Sequence, residues 1–167
     1  GEPGDGWRVA LTTLMNERVA IGSRPGPRNS GAIGHLVDQW IARPDPAARD
    51  RVVDLWVQAE VARLTNARGR QNADAGTPGP EGSTAKLVYA ELNQRIFELA
   101  TELMGPEAMG YGSYEPDQPM PGDPPRTDPR WFFLRSRANS IEGGTSEIMK
   151  NILGERVLGL PGEPRVD

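Results

Sequence analysis

Between Lys86 and Leu103 the apolar residues Val88, Leu92, Ile96, Leu99 and Leu103 return at steps of three and four. That spacing gathers side chains on one stripe of an α-helix, whereas a half-buried strand needs alternation at every second residue. Ser83 or Thr84 opens this helix, and Gly105-Pro106 closes it. Four more segments carry the same period. From Trp7 to about Ile21, Ala10, Leu14 and Ile21 share a face that Trp7 and Leu11 widen. From Ala32 to Ala42, Ile33, Leu36, Val37 and Trp40 are helically spaced. Asp45-Pro46 is a cap followed by proline, starting a helix that reaches Asn66 or further with Val53, Val57, Val61 and Leu64 as its expected seam. The last helix starts near Thr145, runs through Ile148, Ile152 and Leu153, and ends near Gly159-Leu160-Pro161. No stretch reads as a strand. The expected fold is all-α, an antiparallel helical bundle in which each helix buries one seam.

The breaks between these helices explain the composition. Gly 20 and Pro 16 in 167 residues fill RPGPRNSG, QNADAGTPGPEGS and a long loop over 106–130, where crowded prolines are expected to exclude regular structure. With no cysteine there is no disulfide framework, thiolate metal site or cysteine nucleophile. A single histidine, His35, leaves no His-rich metal centre, and no metal is expected. A net charge of −4 with scattered basic residues argues against nucleic acid as the main partner. No apolar run approaches the roughly 20 residues that span a bilayer, and GEPGDGW has no signal-peptide pattern. The expected location is therefore the cytoplasm. The start without methionine suggests a piece of a longer protein, and 17 arginines against two lysines hint at a GC-rich bacterial source.

Two stretches carry chemistry. Glu17 lies three residues after Leu14 and four before Ile21, so it falls on the apolar stripe of the first helix, with Arg18 about 100° around. A carboxylate there is costly unless paired, protonated or part of a site. A charge pair at a helix end that reaches water is the plainer and commoner alternative. The second stretch, EGGTSE over Glu142–Glu147, is a loop-to-helix transition. Its glycines permit close approach to the main chain, Thr145 or Ser146 can cap the helix, and Glu147 suits the positive end of its dipole. Such a terminus accepts an anion, although an ordinary capped helix is the more frequent case. His35 receives no role, and Trp131, Phe132 and Phe133 are expected to anchor the long loop onto the bundle.

Taken together, these stretches resemble the C-terminal helical domain of the acyl-CoA dehydrogenase family. The likeness is most specific in IEGGTSEIMKNILGERVLGLP and in RWFFLRSRANSI before it. STAKLVYAELNQ, ELMGPEAMGYG and GWRVALTTLMNERVAIG resemble the family's fourth helix, its Gly-containing turn and its first helix. The resemblance covers most of the chain, apart from residues 23–45 and the loops near 75 and 120. It implies that this is one domain of three, the N-terminal helical and middle β domains lying outside the chain. It also implies FAD-dependent oxidation of an acyl-CoA thioester to the trans-2-enoyl-CoA: a glutamate takes the α-proton while hydride leaves the β-carbon for flavin.

Many members carry that glutamate two residues before the closing threonine, a position held here by Gly143, with Glu142 one residue too early. Another branch carries it on the first helix directly before an arginine, where this chain has Glu17-Arg18. Glu17 is thus the candidate base and Glu142 the reserve. The resemblance further implies FAD contacts from Arg18, Gly105, Gly144, Thr145 and Glu147. Met104 and Pro106 depart from the pattern around Gly105. The family's basic Phe-Gly loop is absent from residues 41–58, leaving Arg43, Arg49, Arg51 and Gln58 as substitutes. The implied partners are an acyl-CoA, an electron-transfer flavoprotein as electron acceptor, and further subunits in a homo- or hetero-oligomer. The alternative is a non-catalytic structural subunit of a hetero-oligomeric dehydrogenase.

Overall fold

The computed structural model describes residues 2–13, 26–77, 79, 81–110 and 127–162. The regular elements among these residues are all helices, with no strand. Residues 6–13 form α1, followed by α2 (Ala32–Ala42), α3 (Arg49–Asp74), α4 (Glu81–Met104), α5 (Pro129–Ser136) and α6 (Ser146–Arg156). Short 3-10 helices follow α4 at Gly105–Met109 and α5 at Arg137–Ser140. Helix α4 is the hub, packing against α2, α3, α5 and α6. Helix α3 runs antiparallel to it, since Arg51 pairs with Glu102 while Asp54 pairs with Arg95 further back along α4.

The core confirms the α4 seam: Leu92, Ile96 and Leu99 are buried, with Ile33 and Leu36 of α2 and Val52 and Leu55 of α3 against them. Phe132 of α5 stacks on Phe97, centroids 4.9 Å apart, and Trp131 meets its edge, so the aromatic cluster does anchor the chain after the long loop.

Several local expectations are corrected. The expected α3 seam of Val53, Val57, Val61 and Leu64 faces outward, and residues of the opposite face, Val52, Leu55, Ala59 and Ala62, turn inward. Both faces of α3 carry apolar residues, and Val52 and Leu55, with the small Ala59 and Ala62 partly buried beside them, are the ones that meet the core. Trp7 and Leu11 are likewise exposed; Leu14, Glu17, Arg18 and Ile21 lie outside the described residues. In α6 the buried anchor is Met149, and Ile148 is exposed.

Cap chemistry accounts for the boundaries. The Asp45-Pro46 signal opens a turn, Asp45 accepting from the Ala47 N–H, and α3 begins three residues later. Helix α3 runs past Asn66 to Asp74. There Gly76, at φ 75°, lets Thr77 N–H reach the Asn72 carbonyl and Gly76 N–H reach that of Ala73, a Schellman ending. The long loop is not wholly irregular: Gly105–Met109 coils as a 3-10 helix, and Pro129 sits in the first turn of α5, where its missing N–H costs nothing. Asp128 caps that turn by accepting from Arg130 N–H at 2.9 Å.

Candidate functional site

The EGGTSE stretch is a turn held from two sides. Behind it lies α4, whose Lys86 is almost wholly buried and donates from Nζ to the Gly144 carbonyl. Lys86 lies on the same stripe as Ala90, Phe97 and Ala100, so its position in the sequence placed it inside. It is one of only two lysines in the chain, a signal that periodicity alone did not weigh. Gly143 and Gly144 adopt φ 66° and 99°, angles that a side chain would strain, and this lets the backbone fold over Lys86.

In front of the turn, Glu142 is gripped by a fork. Arg135 donates to its two oxygens at 3.1 and 2.8 Å, and Asn139 Nδ2 donates at 2.6 Å. Asn93 and Gln94 of α4 extend this network to Asn139, the Ser136 carbonyl and Ser140. The Arg135 hydrogen bonds, seconded by that from Asn139, hold the Glu142 carboxyl below the usual glutamate range despite partial burial. A depressed folded pKa stabilises the fold above the unfolded value and stops doing so as pH falls through the folded one. Glu142→Gln should therefore lower the melting temperature near neutral pH, and the gap should close as pH drops below about 4.3, the free glutamate value. Melting curves across that range check this; a gap independent of pH would contradict it.

Thr145 caps α6, its hydroxyl accepting from Ile148 N–H at 3.3 Å. The remaining first-turn N–H groups present partial positive charge, and the carboxyl of Glu147 is held low first by its own backbone N–H and then by Thr145. Thr145→Ala should cost about 1 kcal/mol of stability by removing that acceptor. Thermal unfolding measures it, and an unchanged midpoint would deny the cap any weight. Beside the turn, Ile141 and Ile148 leave apolar surface exposed.

A cleft of about 340 Å³ opens nearby between the 26–31 loop, α3 and α4, lined by Trp56, Arg63, Tyr89 and Asn93 among others. Asn93 is shared between this cleft and the Glu142 network.

Residues 4–158 match the family described as acyl-CoA dehydrogenase, C-terminal domain. The chain belongs to this family. It is 33% identical over 168 residues to acyl-CoA dehydrogenase IpdE1 of Mycolicibacterium smegmatis, which covers 98% of the chain and 39% of that protein. It is 32% identical over 170 residues to acyl-CoA dehydrogenase IpdE1 of Mycobacterium tuberculosis, covering 99% of the chain and 41% of that protein. Acyl-CoA dehydrogenase FadE34 of the same organism is 30% identical over 167 residues, 96% of the chain and 20% of its own length. The chain thus spans about two fifths of the length of the first two relatives.

In this acyl-CoA dehydrogenase domain, Glu142, Gly144, Thr145 and Glu147 come together, whereas Gly105 does not join them. It sits exposed at φ 62° just past the far end of α4, 19 residues and so roughly 28 Å along the axis from Lys86. Beside it Arg43 faces Glu107 at 3.7 Å. The other substitute residues are engaged as well: Arg49 with Asp50, Arg51 with Glu102 at 2.6 Å, and the neutral Gln58 with Asp54 and Arg95. Glu17 and Arg18 lie outside the described residues. Sequence reasoning missed Lys86, Arg135 and Asn139, because their partners are reached through the fold. No described helix is long and apolar enough to cross a membrane.

Proposed function

We propose that this domain belongs to a cytoplasmic, FAD-dependent enzyme that oxidises an acyl-CoA thioester to the trans-2-enoyl-CoA. The observation that carries the reading is the braced turn before α6. Two glycines at positive φ and a Thr145-capped helix end form a rigid rim of backbone donors beside exposed Ile141 and Ile148. That rim fits a polar or anionic edge of FAD lying against apolar surface. When bound, FAD supplies the hydride acceptor. Gly144, Thr145 and Glu147 would hold its edge on this chain, and Arg18 and Gly105, the latter at the other end of α4, would be the further contacts that the family resemblance implies.

Glu17 removes the substrate's α-proton. A base needs a proton affinity raised by a dry setting; Glu17 falls on the apolar stripe of the first helix, whose Trp7 and Leu11 are exposed on this chain and would become dry only against the rest of the intact protein. Glu142 is poorly suited, because Arg135 and Asn139 favour its ionised form. Its work is to fix the turn. The isolated domain is inactive, since flavin and substrate lie between this domain and the others, and an electron-transfer flavoprotein takes the electrons onward. Mixing the intact protein with acyl-CoAs under anaerobic conditions tests this: the flavin's visible absorbance should bleach. A FAD-loaded protein that no acyl-CoA bleaches would defeat the assignment.

The second reading is a structural subunit of a hetero-oligomeric dehydrogenase. It is favoured by the ion pairs and hydrogen bonds that already engage Arg43, Arg49, Arg51 and Gln58. Intact protein that purifies without FAD, and turns over only with a second co-purified chain, would support it.

A further inference from the structure

A capping residue often has its own N–H taken by a glutamate or glutamine three positions on, the reciprocal half of a capping box. Thr145 caps α6, and the third position after it is Ile148, whose side chain accepts nothing. Among the described residues none accepts from the N–H of Gly143, Gly144 or Thr145. The direction of the last of these donors is set from behind. Lys86, 1% exposed on α4, donates from Nζ to the Gly144 carbonyl. The Gly144–Thr145 peptide is planar and trans, so its N–H points opposite to its C=O. With the carbonyl drawn in toward Lys86, the Thr145 N–H is turned out to the half-buried front of the turn.

We infer that Lys86 is a positioning residue for the cofactor: by holding the Gly144 carbonyl inward, it fixes the Thr145 N–H as a donor aimed at the edge of FAD. The inference rests on the flavin reading above and adds a residue that the family resemblance did not point to. Two consecutive glycines give a backbone that can rotate its peptides at little steric cost. A donor carried on such a backbone must be ordered when the ligand binds, and that ordering weakens affinity. The bond from Lys86 does the ordering during folding instead. A lysine suits the task, because its compact ammonium gives a charge-assisted bond to a single carbonyl, where a planar guanidinium needs more room.

Titrating FAD into the FAD-free intact protein, followed by flavin fluorescence, tests it. Lys86→Met keeps a long buried stem and removes the donor, and FAD should then bind about tenfold more weakly, the worth of one hydrogen bond to a polar partner. Thr145→Pro removes the N–H itself at φ −67°, an angle proline adopts, and Thr145→Ala is its reference because both lose the hydroxyl cap. Against that reference Thr145→Pro should bind FAD about tenfold more weakly. Adding Lys86→Met to Thr145→Pro should cost less than about threefold more, since the donor through which Lys86 acts is already gone. A merely structural lysine would give additive losses, and additivity would overturn the inference. So would wild-type affinity in Lys86→Met. Should FAD-free Lys86→Met fail to melt cooperatively, Gly144→Ala disturbs the same contact from the other side, because φ 99° strains any side chain. That variant should also lose at least about tenfold in affinity, and unchanged binding would overturn the inference. A wild-type protein that binds no FAD defeats the flavin reading and this inference with it, whereas FAD-binding wild type with unaffected variants defeats this inference alone.

Discussion

Replacing Glu17 with glutamine in the intact protein is expected to cut turnover with an acyl-CoA by about 10²- to 10⁴-fold, the usual worth of a positioned general base. Glutamine keeps the length and helix preference of glutamate, so folding and FAD content should be unchanged. The loss should appear in single-turnover flavin bleaching, which isolates the chemical step from product release. Glu142→Gln is the internal control. Its carboxylate is already held by Arg135 and Asn139, so that variant should keep turnover within a few-fold while losing part of its acid-sensitive stability. Wild-type bleaching in Glu17→Gln would remove Glu17 from the mechanism, and abolition in Glu142→Gln with normal FAD content would transfer the role to Glu142.

The largest stability effect is expected from Ile96→Ala. Ile96 is 2% exposed at the centre of α4, inside the cluster where α2, α3 and α4 meet. Truncation removes buried methylenes and leaves a void that close-packed neighbours cannot fully fill, a cost of about 2–5 kcal/mol. Thermal or denaturant unfolding reads it directly. A loss below about 1 kcal/mol would mean that the three helices are not packed around that side chain as described. Val57→Ala on the outward stripe of α3 is the contrasting substitution, because in an isolated monomer it creates no cavity.

Much of this architecture was legible in the residue order. The period of Leu92, Ile96 and Leu99 identified α4 and the face it buries, and the cap of α6 proved to be Thr145, one of the two candidates with Ser146. The EGGTSE stretch and its neighbours pointed to the family that residues 4–158 match. These are local properties: a helix bonds each N–H to a carbonyl four residues back, a cap reaches three residues on, and a motif is contiguous. The seam of α3 was misread because opposite faces of that helix both carry apolar residues. Nothing within the helix says which one meets α4.

The sequence by itself determined that the fold is helical, the bounds of α2, nearly those of α4, the start of α6 and which family the chain joins, whereas α5 was not among the five expected helices. Only the tertiary structure decided that Lys86 is buried beneath the glycine turn, that Arg135 and Asn139 tie Glu142 in its ionised state, and that Gly105 stands at the opposite end of α4 from that turn. The division is physical. Backbone hydrogen bonds and side-chain period act over a few residues, whereas burial, ion pairing and pKa depend on which distant segments share a volume, and that is settled when the helices pack together.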